Sequence, residues 1–214
     1  MLRFFKNYYP YFPIAGFALY LIVFTLAALQ YPGGSFNLPK ATGYSFFHNF
    51  LCDVMDPVTK GGVFNPARML AVVSHIILSL TMISFFYMLP EIFENRNRNF
   101  FMIRYFGMFT MTVFMLMATS YHDLIVTFTG VLGTLALIPF FIELRNYTDK
   151  RLIQLASLCF FMSIVVFFIF ETKIGFYYLP FLQKITFVLD AWWVIWVSLI
   201  VMRKRKKLAY ATPV

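Results

Sequence analysis

The chain has 214 residues, of which 61% are hydrophobic and 13% are charged, and its mean hydropathy is +0.74. A soluble domain carries about 25% charged residues, so this composition excludes a soluble enzyme, a disordered tail, a disulfide scaffold and a nucleic-acid-binding domain. The remaining class is an integral membrane protein. Its net charge of +9 is therefore read first as a signal of topology.

Six apolar runs are each long enough to cross the hydrocarbon core as a helix, in which every backbone polar group is bonded internally. The first is too long for an ordinary signal-peptide core, so we interpret it as a helix as well. The third and fourth runs are separated by so few residues that they predict a tight helical hairpin. The sequence therefore predicts an all-α membrane protein, one domain with a bundle of six transmembrane helices. The runs lie near 12–30, 68–89, 100–119, 123–143, 152–171 and 181–202.

Lysine and arginine are distributed unevenly between the two sides of such a bundle. Because cytoplasmic loops carry the excess of basic residues, the side with more of them is predicted to be cytoplasmic, and both termini lie on it. The short loops favour a bacterial inner membrane. The cytoplasmic side holds Arg3, Lys6, Arg96, Arg98, Arg104, Arg145, Lys150, Arg151, Arg203, Lys204, Arg205, Lys206 and Lys207, and the outer side holds Lys40, Lys60, Arg68, Lys173 and Lys184.

The basic run Arg203–Lys207 follows the last apolar run directly. We interpret it as a stop-transfer anchor beside anionic lipid head groups, with a regulatory lipid or partner site as the alternative. No folded basic surface accompanies the run, so nucleic acid is not a predicted partner.

Residues 31–67 form the one sizeable soluble segment, between the first two spans on the predicted outer side. Proline and glycine pairs at both of its ends are typical of turns. The stretch from Tyr44 to Asp53 is too aromatic for a free loop. We expect it to lie on the membrane surface or to cover the bundle, with a short interfacial helix as one form.

All three histidines and five of the nine acids fall on the outer side or in the outer half of the predicted bundle. Ionisable groups inside spans usually face the bundle interior and indicate a functional site. Helical spacing places polar residues of spans two, four and six on single faces, as with Gln183, Thr186 and Asp190 in the last span, which predicts a polar pocket opening outward. The predicted polar residues of this pocket are Arg68, Ser79, Glu171, Lys184 and Asp190.

Three imidazoles can bind zinc and activate a bound water molecule. One hypothesis is therefore a membrane-embedded metal-dependent hydrolase of lipid or amide substrates, with His48, His75 and His122 as ligands. In it, Asp123 or Asp53 orients a ligand or acts as general base, so His122, Asp123 and Asp53 are the candidate catalytic residues. The spacing is not diagnostic, because the chain has no His-Glu-x-x-His motif. Ceramidase-type hydrolases also have a His-x-x-x-His pair and a seventh span, both missing here.

The same residues have structural interpretations. His122 and Asp123 can cap a helix in the hairpin, because Asp123 there can accept from unpaired backbone N–H groups. Asp190 can form a buried ion pair with Arg68 or Lys184. These alternatives stay open at the level of sequence.

Three short elements are shared with a known group of membrane proteins. They are Tyr31-Pro32 after the first span, His122 in the hairpin, and Leu179–Ile185 ahead of the tryptophan-rich last span. On these elements the chain resembles the FRAG/DRAM-like six-span membrane proteins and a bacterial domain of unknown function placed near them. The resemblance implies six helices and a role in lipid or membrane homeostasis. It implies no chemistry and no catalytic residues.

The leading functional hypothesis is a membrane protein that binds or senses lipid through the outward polar pocket. The alternatives are the metal-dependent hydrolase and a small transporter or channel. Transport is disfavoured because the spans lack an internal repeat and Asp190 is the only acid near the membrane centre. The predicted partners are membrane lipids, and a homo-oligomer is left open.

Overall fold

The computed structural model describes residues 8–211, with side chains as far as Lys207. Arg3 and Lys6, two residues used to predict the orientation, lie outside the described residues. Each of the six helices is long and apolar enough to cross a membrane, so the chain is a polytopic, all-α membrane protein. Apart from two isolated β-bridges, no strand occurs in the described part. The helices are α1 (Phe12–Gln30), α2 (Arg68–Met88), α3 (Arg98–Phe114), α4 (His122–Leu144), α5 (Lys150–Thr172) and α6 (Leu179–Ala211).

The six predicted spans are confirmed, and the largest difference is at the end of the last one. Helix α6 continues to Ala211, whereas the apolar run ends near 202. The basic run Arg203–Lys207 is therefore part of the helix. Lysine and arginine are good helix formers, and no glycine or proline interrupts them before Ala211.

Local side chains fix the ends of two helices. The Asn97 side chain accepts a hydrogen bond from the backbone N–H of Phe100 at 3.1 Å and so begins α3. The Asp149 carboxylate accepts from the backbone N–H of Arg151 at 3.0 Å at the start of α5. Both are N-cap arrangements that satisfy backbone donors left open in a first helical turn. They set the two short turns that fold the chain back into the membrane.

Small residues allow the first three helices to pack closely. A side chain at Gly16 of α1 would place its Cβ 2.0 Å from the Thr81 hydroxyl of α2. A side chain at Gly107 of α3 would meet the Phe86 ring of α2 at 2.1 Å. Close approach at small residues is the usual source of helix association in lipid. The α1–α2–α3 half of the bundle is thus tightly joined.

An aromatic cluster lies close to the ends of α2 and α4 at Met88 and Leu144. The Trp193 ring centroid lies 5.2 Å from that of Phe85 and 5.4 Å from that of Phe140. All three side chains are buried, and they come from α6, α2 and α4. Edge-on aromatic contacts at these separations stabilise packing beyond the burial of area. The cluster joins three helices that are distant in sequence.

Residues 31–67, the cap segment, lie against the first turns of α6, and this end of the bundle is the cap end. The segment contains one 3-10 turn, Asp53–Met55, and no α-helix, so the interfacial helix considered from sequence is not formed. Its turns are fixed by buried amides. Asn65 donates to the carbonyls of Val54 and Asp56 at 2.8 Å each. In this segment, backbone carbonyls that would accept from backbone N–H groups in a helix accept from side-chain amides instead.

At the opposite end, the basic end, Glu91 is the centre of an ion-pair network, and Glu143 of α4 accepts from the side-chain amides of Asn97 and Asn99. Glu91 accepts hydrogen bonds from the Tyr9 hydroxyl at 2.5 Å, from Arg104 at 3.3 Å and from Arg205 at 2.8 Å. Lys204 donates to three backbone carbonyls, those of residues 91, 92 and 93, between 3.0 and 3.3 Å. Two residues of the basic run Arg203–Lys207 therefore fasten α6 to the end of α2.

Candidate functional site: a cavity beneath the cap segment

A cavity of about 850 Å³ lies among α2–α6, with the cap segment at one end. Most of its lining is apolar and aromatic, as in ligand sites of proteins. Among these residues are Phe86, Phe140, Phe167, Leu137 and Trp193. The cavity therefore runs from the cap end into the apolar middle of the bundle.

The polar groups of the cavity fall into two zones. At the cap end they include His122, Asp123 and Lys173, together with residues of the cap segment. Deeper in, Asp190 lines the cavity from α6. At 1.5 Å per residue it lies about 16 Å along the helix from Leu179, near the middle of the span. Asp190 is thus a carboxyl group in the apolar part of the cavity.

A smaller cavity of about 200 Å³ lies beside the larger one, with His75 in its lining. Gln183, Thr186 and Asp190 line both cavities. These are the residues that helical spacing placed on one face of the last span. This polar stripe of α6 therefore borders two cavities.

The three histidines have three separate sets of partners. The Nε2 of His75 lies 2.8 Å from the Phe114 carbonyl oxygen, inside the bundle. His48 bonds the Ser45 hydroxyl at 2.9 Å in the cap segment. No group of three or more histidine, cysteine, aspartate or glutamate side chains among residues 8–207 is placed to hold a metal ion. The structure does not bring His48, His75 and His122 together as the zinc hypothesis requires.

His122 and Asp123 form a pair at the cap end of the larger cavity. The His122 Nδ1 lies 2.9 Å from Asp123 Oδ1, and the Asp123 side chain is 81% exposed. Because a carboxylate only accepts, Nδ1 carries the hydrogen of this bond, and Nε2 of the neutral ring is an acceptor. Within the described chain, Nε2 is buried and has no hydrogen-bond partner. With its ring neutral, the pair can therefore receive a hydrogen bond from a ligand, and among residues 8–207 no nucleophilic side chain is bonded to it.

Asp53, the other candidate catalytic residue, organises the cap segment. It is 3% exposed, and its Oδ2 accepts from the Asn49 amide and from the Phe50 backbone N–H, both at 2.9 Å. Burial raises the pKa of this carboxyl group, and the hydrogen bonds from Asn49 and Phe50 oppose that increase. Asp53 also lines the larger cavity, but its polar contacts hold the cap segment in shape.

Asp190 does not form the ion pair considered from sequence. Arg68 instead donates to the Met55 carbonyl at 3.3 Å, and Lys184 donates to the carbonyl oxygens of Asn49 and Pro180. Both cations donate to backbone carbonyl oxygens near the cap segment, and neither is paired with Asp190.

Two further predicted pocket residues, Ser79 and Glu171, form hydrogen bonds within a helix and between two helices, respectively. Ser79 donates to the His75 carbonyl at 3.0 Å and is buried. Glu171 accepts from the Thr127 hydroxyl at 2.6 Å and so joins α5 to α4. Neither residue lines the two cavities described above.

Trp193 is a residue of the cavity that sequence reasoning did not single out as polar. It is 7% exposed, lines the larger cavity, and its Nε1 has no hydrogen-bond partner among the described residues. A buried indole N–H usually has such a partner. Its spacing of three residues from Asp190, on the same helical face, is the signal that could have indicated it.

No protein-family model, curated protein or solved structure matches this chain.

Proposed function

We propose that the protein binds a lipid or lipid-like amphiphile in the larger cavity. The observation that carries this proposal is a cavity of about 850 Å³ with apolar walls and a few polar groups, inside a membrane bundle. Ligand sites are typically about 300–1,000 Å³ in volume and are lined in this way. In a membrane, the ligands that match apolar walls of this size are lipids.

The aromatic walls support a chain-like ligand. Phe86, Phe140 and Phe167 line the cavity from three different helices. Burial of an apolar chain among such rings gains dispersion contacts, although lipid tails already shield the chain from water. Selectivity therefore depends on the few polar groups, because an apolar surface alone does not distinguish one chain from another.

The polar groups support binding rather than hydrolysis. His122 offers an acceptor at the cap end, and Asp190 lies farther down the same cavity. Hydrolysis needs a metal-bound water or an activated nucleophile placed beside a base. The contacts of His122 and of the other two histidines supply neither arrangement, so we do not propose the hydrolase.

The setting of this function follows from the sequence. The excess of basic residues at one end supports a cytoplasmic basic end and an outward cap end. We propose a bacterial inner membrane, with membrane lipids as the source of the ligand. The resemblance to FRAG/DRAM-like proteins, which implies lipid or membrane homeostasis, agrees with this proposal.

A cavity-filling substitution tests the proposal. A Cβ at Gly133 of α4 would have Thr110 Cγ2 as its nearest neighbour, at 3.8 Å, so Gly133→Leu extends into the cavity without a backbone clash. Native mass spectrometry of the protein purified in mild detergent is expected to show a retained lipid. We expect about tenfold less of it in Gly133→Leu, a loss of about 1.4 kcal/mol in binding.

Leu135→Phe is the matched control, because Leu135 is on the same helix but is exposed on the outside of the bundle. It adds bulk outside the cavity and is expected to leave lipid retention unchanged. A wild-type protein without retained lipid, or equal retention in Gly133→Leu and wild type, would contradict the proposed function.

A further inference from the structure

We infer that the ligand of the larger cavity carries a neutral carbonyl oxygen that accepts a hydrogen bond from Trp193, in the half of the bundle nearer the basic end. This inference rests on the proposed function, since it names the chemical class of the amphiphile. An alkylated quinone and a long-chain ester both have this chemistry.

The first step concerns the indole N–H of Trp193. The side chain is nine-tenths buried between the rings of Phe85 and Phe140, and it lines the cavity. Its Nε1 has no hydrogen-bond partner in the described part of the chain. A buried donor without a partner is destabilising, so a ligand that supplies an acceptor there gains binding.

The second step concerns depth. Trp193 is 14 positions after Leu179, about 21 Å along α6 at 1.5 Å per residue. A phospholipid that enters from the cap end, with its head group at that surface, places its ester oxygens nearer the cap end than this. The oxygen that reaches Trp193 therefore belongs to a lipid whose polar group can enter the apolar core.

The third step concerns charge. Asp190 lies one helical turn from Trp193, and none of the ion pairs among the described residues includes it. The lysines in the cavity lining, Lys60 and Lys173, lie at the cap end. A phosphate or an ionised carboxylate at the depth of Trp193 would face a carboxyl group without a nearby cation, which is strongly unfavourable in lipid. A neutral carbonyl group carries no charge and therefore needs no cation at this depth.

The fourth step concerns the apolar part of the ligand. Between the level of Trp193 and the cap end, α5 lines the cavity with Ile164, Phe167 and Phe170. These side chains provide a wall for an alkyl or isoprenoid chain extending from the carbonyl group. The cavity thus fits a lipid with its polar group in the core.

The test compares radiolabelled probes in a scintillation proximity assay on the purified full-length protein. Methyl hexadecanoate and a decyl-substituted benzoquinone carry the neutral carbonyl, and hexadecane carries no oxygen. We expect Trp193→Phe, which keeps an aromatic ring but removes the N–H, to weaken at least one carbonyl probe about tenfold. Hexadecane binding is expected to be unchanged. Which carbonyl probe responds distinguishes the ester from the quinone.

Controls separate this inference from the proposed function. Trp192→Phe changes an exposed tryptophan beside it and is expected to have no effect on any probe. Gly133→Leu is expected to weaken all three probes, which reports on the cavity itself. An equal effect of Trp193→Phe on hexadecane and the carbonyl probes would overturn the inference and leave the proposed function standing. Binding of no probe to wild type would overturn both.

A spectroscopic readout serves if Trp193→Phe fails to fold. The ultraviolet resonance Raman band that reports hydrogen bonding of the indole N–H can be followed in wild-type protein. We expect methyl hexadecanoate or the benzoquinone to shift it and hexadecane to leave it in place. An unshifted band with a bound carbonyl probe would overturn the inference.

Discussion

The two ends of the bundle differ in the hydrogen bonding of their polar groups. At the basic end, Glu91 is surrounded by Tyr9, Arg104 and Arg205. In the cavity that begins at the cap end, the His122 Nε2 and, about 21 Å along α6, the Trp193 Nε1 are buried with no hydrogen-bond partner among the described residues. One end is an assembled ion-pair network, and the other opens into a cavity.

This difference indicates that the basic end stabilises the fold, whereas the cavity that begins at the cap end is suited to binding a ligand. A buried ion-pair network such as that of Glu91 rigidifies the helices that it joins, even though the Arg104 Nε within it has no hydrogen-bond partner among the described residues. The unpaired His122 Nε2 and Trp193 Nε1 differ from it because both residues line a cavity that a ligand can enter. The contrast therefore favours the cap end for binding, and the following predictions are ordered by the size of the effect expected.

The largest effect is expected at Glu91. Glu91→Gln removes the charge opposite two arginines that are mostly buried, which is expected to lower the free energy of unfolding by about 3 kcal/mol. Unfolding in mixed micelles with increasing dodecyl sulfate measures this loss. The control is Glu94→Gln, an exposed acid three residues away, with an expected change under about 0.5 kcal/mol. Equal stabilities of the two variants would contradict a structural basic end.

The next effect is expected in the cap segment. Asn65→Ala leaves the buried carbonyls of Val54 and Asp56 without their donor, and we expect a loss of about 2 kcal/mol. Hydrogen exchange of cap-segment amides should become faster. Asn37→Ala removes one exposed hydrogen bond to the Tyr177 carbonyl and serves as the control, with little effect expected. Unchanged exchange in Asn65→Ala would show that the amide does not hold the cap segment.

A smaller, pH-dependent effect is expected at Asp53. Because its pKa is raised in the folded chain, the folded state favours the protonated carboxyl group. Its contribution is fully present below the ordinary pKa of 3.8 and is lost as the pH rises through the folded-state value. Thermal unfolding should therefore show a wild-type stability decrease over this range that is reduced in Asp53→Asn. Identical pH profiles of the two proteins would contradict this account.

The spans could be predicted because their signal is local. Each apolar run is contiguous, so α1 (Phe12–Gln30) and α2 (Arg68–Met88) match the predicted runs closely. The end of α6 was missed because a change in hydropathy at Arg203 ends a membrane span but does not end a helix. Hydropathy reports the solvent around a helix, whereas propensity and packing determine where the helix stops.

The polar site was only partly predictable because its contacts join distant parts of the chain. The face containing Gln183, Thr186 and Asp190 followed from helical spacing, and these residues line the cavities. The contact of Lys184 with the Asn49 carbonyl joins residues 135 positions apart, and no periodicity indicates it. Partners of this kind depend on how the cap segment folds against α6, which spacing within one helix does not determine.

The most direct test of the ligand cavity uses Trp193 as its own reporter. In a variant with Trp192 and Trp196 changed to phenylalanine, methyl 9,10-dibromooctadecanoate added in detergent should quench Trp193 fluorescence and saturate near one molecule per protein. Gly133→Leu should abolish this saturable quenching. A variant keeping only the exposed Trp192 should instead show a gradual, unsaturated decrease. If Trp193 showed no saturable quenching, or if Gly133→Leu left it unchanged, the account of a lipid-binding cavity would be contradicted.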